Sequence, residues 1–335
     1  MDKVKFAIVG LEVAGDTHSV YSQLTLVELA KRTNNGDLIA IAEVLDETNE
    51  IFDDAVWLES NQMTGHLITR RNSLPAGTWR KLNAGVDTEA STTTQVTEAI
   101  GMLETYSKVD KKLVDLAPDP KAFRAGEDRA FIEGLSQTIA DTLIYGNMGS
   151  HPERFNGFCT RFNELAKNNV WDGGGGGSDV TSILVVQWGP TMVHLIYPKN
   201  SKSMGIQARD LGEDTVQDSN SKEYQAYRTH FSVDIGVAVR DERCVQRYAN
   251  IESSGAANTF DDDVLIRLLR KLPYKGRGAV IYANDVILAQ MDIRAKDKSN
   301  VNYSSSDAFG VPVTMFRGVP VRRVDAILNT ETAVT

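Results

Sequence analysis

Apolar residues recur every four positions between Asp119 and Tyr145, at Phe131, Leu135, Ile139 and Leu143, with Ile132, Ala140 and Ile144 beside them. That spacing draws one face of a helix. Asp119-Pro120 offers an N-cap followed by proline at the first helical position, and Gly146, Asn147 and Gly149 stop the pattern. Roughly 25 residues at 1.5 Å rise make a rod of about 38 Å. Gly126 and Gly134 weaken it locally, by about 1 kcal/mol each relative to alanine.

Elsewhere the periods are shorter. Residues 1–23 have no clean period and read as an extended arm. Thr25 and Glu28 form a capping box that opens a helix ending at Asn34-Asn35-Gly36, and a second helix is predicted from Asp37 to about Asp46. Between 56 and 98 the runs Val56–Leu58, His66–Arg71, Thr78–Leu82 and Ser91–Thr97 are β-like and are broken by Pro75 and Gly77. This is a long two-stranded excursion without a core of its own. An isolated hairpin is marginal in water, so another subunit is expected to support it.

After Gly173–Gly177, read as a flexible linker, come strands at Ser182–Trp188 and Met192–Tyr197. A long pair follows, His230–Arg240 and Cys244–Ile251, with its turn at Asp241–Arg243. Asp261–Asp263 open a helix that closes at Leu272-Pro273, with acids at its start and bases at its end to match the dipole. A buried-type strand (Gly278–Ala283), a short helix (Asp285–Ile293) and closing strands (Val313–Phe316, Pro320–Ile327) complete the chain.

Charge changes the picture in two places. Residues 37–59 hold eight acids, among them Glu47, Glu50, Asp53 and Asp54, and no base. Residues 61–86 hold four bases, Arg70, Arg71, Arg80 and Lys81, and no acid. Adjacent segments of opposite sign predict a contact, within one chain or between chains. The net charge of -9 gives no overall pull toward nucleic acid. Two cysteines, Cys159 and Cys244, make no disulfide framework. No run approaches the roughly 20 apolar residues of a membrane span.

Candidate chemistry is sparse. Gly10 and Gly15 are spaced as in a phosphate loop, but Asp16-Thr17 follows where Lys then Ser or Thr is needed, and an aspartate would repel phosphate. The glycine run at 173–177 has neither a following lysine nor a capped helix behind it. Histidines 18, 66, 151, 194 and 230 are scattered, without ligand spacing. Asp53-Asp54 and Asp261–Asp263 read as helix starts or solvated faces before they read as cation sites. No catalytic, cofactor or metal site is expected, and what is left is a chain built to contact copies of itself.

Six segments, in order, carry a resemblance. They are Leu24–Arg32, Asn49–Ala55, Leu74–Asn83, Phe123-Arg124 through Ala130–Glu133, Ile144–Asn147 and Phe316–Asp325. Together, from about residue 24 to the end, the chain resembles the major capsid proteins of tailed phages, nearest those of short-tailed phages of the epsilon-fifteen and Bordetella type. The resemblance implies an α+β fold of the Hong Kong 97 type. It divides the chain into an N-terminal arm (1–55), an extended loop (56–117), a mainly peripheral domain with a spine helix at 119–145 (118–255), and a mainly axial domain (256–335). The strand pair in 230–251, peripheral in character, precedes 261–327, axial in character, which reverses the common order. Either the topology is rearranged or these pieces divide differently.

The same resemblance implies a virion protein, made in the host cytoplasm, that forms pentamers and hexamers of an icosahedral head around double-stranded DNA without gripping it tightly. A decoration protein, a scaffolding protein and a portal are the further partners it implies. Inter-subunit contacts are expected at Glu47, Glu50, Asp53, Asp54, Arg70, Arg71, Trp79, Arg80 and Lys81. Some members cross-link a loop lysine to a neighbour's asparagine. Lys81, the only lysine between 61 and 107, lies beside Trp79-Arg80 and is not expected to do so. The alternatives are an encapsulin-like compartment shell and an N-terminal nucleotide-dependent enzyme.

Overall fold

A computed structural model describes residues 47–201, 204–255, 257–295, 303–308 and 311–335, with the short strands β1 (Thr33–Asn34) and β2 (Asp37–Leu38). Most of the helix expected from Thr25 and most of the one expected from Asp37 lie outside these residues, and Thr33–Asn34, at the end of the first, form strand β1 and not helix. Asp37 itself does not start a helix: Asn34 pairs with it in an antiparallel β1–β2 register. The intervening dipeptide is Asn-Gly, as suited to a two-residue hairpin as to a helix stop.

The remaining helices are α1 (Ile51–Asp54), α2 (Lys111–Leu116), α3 (Pro120–Tyr145), α4 (Phe158–Arg161), α5 (Asp262–Lys271) and α6 (Asp285–Ala295). The long helix α3 has 26 residues, and the Asp119 carboxylate accepts from the N–H groups of Lys121 and Ala122 at 3.0 and 3.1 Å, which satisfies two of its free donors. The interior of α3 buries Leu135, Ile139, Leu143 and Ile144, as the four-residue recurrence predicts.

The strands are β3 (Trp57–Glu59), β4 (Gly65–Ser73), β5 (Thr92–Ala99), β6 (Gly101–Asp110), β7 (Val170–Asp172), β8 (Val180–Gln187), β9 (Val193–Tyr197), β10 (Gln207–Gln217), β11 (Glu223–Val239), β12 (Val245–Glu252), β13 (Ala279–Ala283), β14 (Tyr303–Ala308), β15 (Val311–Phe316) and β16 (Val319–Arg323). They make two main sheets and the β4–β5 hairpin. In the five-stranded sheet β11 is the spine. One of its edges pairs with β10; the other pairs with β6 along residues 226–235 and then with β9, which pairs in parallel with β3. Helix α3 lies against this sheet, with Phe131 stacked on Phe231 at 5.7 Å.

The seven-stranded sheet runs β14-β15-β16-β13-β8-β12-β7. Every residue of β8 is buried. Leu184 and Val186 face the core shared with α3, α4 and the five-stranded sheet, while Ile183 and Val185 face α5 and α6 through Leu265, Leu268 and Ile287. A strand covered on both faces reads as an unbroken apolar run, and Ile183–Val186 at the centre of this one do.

Several expectations change. His230–Arg240 and Cys244–Ile251 do not pair: β11 belongs to the five-stranded sheet and β12 to the seven-stranded one. The short 3-10 turn Glu242–Cys244 carries the chain between sheets. Thr78–Leu82 is not a strand. The stretch at 173–177 is no free linker over its first half. The Gly173 and Gly175 N–H groups donate to the Ala249 and Asn250 carbonyls at 2.8 and 2.9 Å. A Cβ on Gly173 would fall 2.5 Å from the Asn250 oxygen, so the close approach to β12 requires glycine. Strands of the seven-stranded sheet come from both sides of residue 255, with β7, β8 and β12 before it.

Candidate assembly surfaces

The β4–β5 hairpin is anchored only at its root. Ile68 packs there on Ile196 and Ala238. Glu98, 4% exposed, accepts two bonds from the Arg161 guanidinium at 2.9 and 2.7 Å, a bidentate joint between hairpin and body. Arg70 donates to Glu242 at 2.5 Å and to the Val239 carbonyl. His66 stands edge-on to His194, ring centroids 5.6 Å apart. His194 is fully buried, and among the described residues neither of its ring nitrogens makes a hydrogen bond of good geometry. Burial, with His66 and Arg240 beside it, pushes its pKa down to about 4. Burial and Arg240 lower His66 as well, against a smaller opposing pull from Glu98.

Beyond the root the loop is bare. Every residue from 71 to 95 is exposed. Leu74, Leu82 and Trp79 are 73%, 92% and 102% exposed. The turn has local order all the same, since Glu89 accepts from the Ala76 and Gly77 N–H groups at 2.7 and 3.0 Å.

Residues 48–59 form a strap across both sheets. Asn49 bridges Val324, and the Asp325 N–H donates to the Thr48 carbonyl at 3.0 Å. Ile51 is completely buried, and Trp57 then pairs with Leu195 of β9. Asp54 meets Arg322 at 3.3 Å and accepts from the Tyr282 hydroxyl at 3.3 Å. Burial, then the charge of Asp54, raises the Tyr282 phenol well above its usual range and keeps it a neutral donor. Glu50 accepts from the Arg323 N–H at 3.2 Å and lies 3.9 Å from Arg322.

The nine residues expected at contacts therefore divide. Arg70, Glu50 and Asp54 are engaged by other residues of their own chain. Arg71, Trp79, Arg80 and Lys81 are exposed on the loop, and Glu47 and Asp53 are exposed near the strap. Among the described residues no ion pair joins the acidic four to the basic four. The partners that sequence reasoning missed, Glu98, Arg161, Glu242 and Arg322, carry no local signal: Arg322 bonds Asp54 across 268 residues.

The buried polar groups of the body serve structure. Glu331 accepts from Tyr145 at 2.5 Å, from Arg247 at 2.9 Å and from Ser182, which pins the C-terminal tail inside. Burial pushes the Cys159 thiol up, and that of Cys244 to about 12, so both stay protonated and inert. Among the described residues no group of three or more His, Cys, Asp or Glu could hold a metal ion.

The chain is similar over 96% of its length, at 32% identity and TM-score 0.68, to all of a chain in the solved structure of bacteriophage epsilon15. It also aligns with the SrpI encapsulin of Synechococcus elongatus (12% identity, TM-score 0.46, 72% of this chain and 100% of that one). A chain in the solved structure of Microbacterium phage Oxtober96 aligns at 9% identity and TM-score 0.45, over 68% of this chain and 99% of that one. No curated protein sequence matches. The family described as major capsid protein GP7 matches residues 33–335. The chain belongs to that family, and its α+β architecture is the Hong Kong 97-type capsid fold of a tailed-phage virion.

Proposed function

We propose that this capsid protein assembles through its bare loop into the pentamers and hexamers of an icosahedral head that encloses double-stranded DNA, and that it performs no catalysis. The observation that carries the reading is the loop from 71 to 95, which exposes Leu74, Trp79 and Leu82 and has no core in its own chain. In this reading α3 with the five-stranded sheet forms the peripheral domain. The seven-stranded sheet with α5 and α6 forms the axial one, so the chain enters the axial domain at β7, returns to the peripheral one for β9 to β11, and re-enters the axial domain at β12. Arg71, Arg80 and Lys81 meet Glu47 and Asp53 of a neighbour, while Arg70, Glu50 and Asp54 hold the contacting elements in place from within. A decoration protein, a scaffolding protein and a portal are further partners. DNA is confined by closure of the shell, in keeping with the net charge of -9.

Size-exclusion chromatography with light scattering and negative-stain imaging test this. Capsomers or shells are expected. A compact monomer at every concentration would overturn the reading. Exposed pairs contribute about 0–1 kcal/mol each, so reversing Arg71, Arg80 and Lys81 together to Glu is expected to impair assembly without unfolding the subunit. Adding Glu47→Lys and Asp53→Lys is expected to restore it in part. Normal assembly of the triple reversal would remove these residues from the interface.

A further inference from the structure

Seven arginines of the body, 124, 161, 228, 243, 247, 322 and 323, have a carboxylate partner among the described residues. Arg124, Arg228 and Arg243 each hold an aspartate at 2.7 Å, and Arg323 one at 2.6 Å. The surface beside α5 and the β15–β16 turn departs from this. Residues 264–284, which run from α5 to the end of β13, contain five bases and no acid in a chain of net charge -9. Arg270 and Lys275 from this stretch, with Arg317 from the β15–β16 turn, ring a groove of about 370 Å³ floored by Ile266, Leu269, Leu272 and Val319. All three cations are exposed, and among the described residues none has a carboxylate within ion-pair distance. Lys275 and Arg317 also hold left-handed backbone, at φ 59 and 52, which disfavours side-chain-bearing residues.

Cations around an apolar floor fit an anionic partner that also carries apolar side chains. Phosphate alone would leave the floor unused. The chain contains such a segment. Residues 37–46 offer Asp37, Glu43 and Asp46 with Leu38, Ile41 and Val44, and no base. Within its own chain the strap leads away from the groove: Asn49 bridges Val324 in antiparallel sense and Thr48 bonds Asp325, so at residue 48 the backbone is directed away from Val319.

We infer that the groove bounded by Arg270, Lys275 and Arg317 docks the acidic, apolar segment 37–46 of a second copy of the chain. The inference rests on the shell reading for its second copy. Its charge complementarity sets register more than strength.

A fluorescent peptide of residues 37–46, titrated into unassembled full-length chain and read by anisotropy, tests the docking whether or not shells form. Light scattering of the unaltered chain separately tests the shell. The peptide is expected to bind, to weaken with salt, and to bind the Arg270→Glu, Lys275→Glu, Arg317→Glu variant about tenfold or more weakly, as three reversed pairs imply. A peptide with Leu38, Ile41 and Val44 replaced by serine is expected to bind weakly as well. The same circular dichroism and melting point for variant and parent show that the groove, not the fold, has changed. If the melting point falls, the milder Arg270→Gln, Lys275→Gln, Arg317→Gln variant takes its place in the same titration. Equal binding to parent and folded variant overturns the inference. So does a short duplex DNA that binds the parent at this surface while the peptide does not, which would assign the cations to phosphate.

Discussion

The seven-stranded sheet and the extended loop treat apolar side chains in opposite ways. In β8 every residue is buried, and each face of the strand has its own core. Between 71 and 95 every residue is exposed, including a tryptophan with no protein surface against it. The first arrangement stabilises the subunit by itself. The second leaves apolar area uncovered until another surface arrives. Buried core and bare apolar surface thus occupy separate stretches of one chain, joined at the Glu98–Arg161 root.

The contrast is tested most severely inside the body. Arg247 and Glu331 are 4% and 6% exposed and bonded at 2.9 Å. Removing one partner strands the other charge, so Arg247→Met is expected to cost about 3–5 kcal/mol in denaturant unfolding of the unassembled subunit. Adding Glu331→Leu is expected to recover much of the loss. If Arg247→Met unfolds like the parent, the tail is not pinned as described.

The root lies between the extremes, and pH probes it. His194 titrates at about 4 when folded against 6.5 ordinarily. Between these values the unfolded chain binds the extra proton, so stability is full above about pH 6.5 and falls as the pH drops toward 4, by about 3 kcal/mol from this residue. His66 acts in the same direction. Unfolding measured across this range is expected to show the slope, and His194→Leu to flatten it. An unchanged slope in that variant would place the acid sensitivity elsewhere.

The loop gives the smallest effect on the fold. Trp79→Ala is expected to change subunit stability by less than about 0.5 kcal/mol while slowing shell formation followed by light scattering. A loss of stability comparable to that of Arg247→Met would erase the distinction between the two regions.

What could be read beforehand follows the range of the forces involved. Helix α3 was legible because its cap, its proline and its period all lie within its own residues. So was β8, whose double burial leaves the unbroken apolar run Ile183–Val186 at its centre. β10 was not: it is an edge strand with Arg209, Asp210, Glu213 and Asp214 and with little burial, so nothing in its composition marks it. β11 and β12 look like a hairpin because both are apolar and a polar turn separates them. Their division between two sheets is decided by what each packs against, far along the chain. The charge blocks were visible, but their in-chain partners were not, since a carboxylate at 54 meets a guanidinium at 322. The family resemblance supplied the fold where local periodicity could not.

The strap at 48–59 has a mechanical consequence. Its first residues are hydrogen-bonded to the segment just after β16, in the seven-stranded sheet, and its last run beside β9 in the five-stranded one. Tension applied at residue 47 therefore pulls along the backbone and loads both attachments in shear, so several bonds must fail together instead of one after another. Resistance of that kind is a rate, set by the barrier to rupture and not by equilibrium stability. A segment of a dozen residues then behaves as a tendon: it shares a pull on the arm between two sheets that are held to each other mainly by side-chain packing.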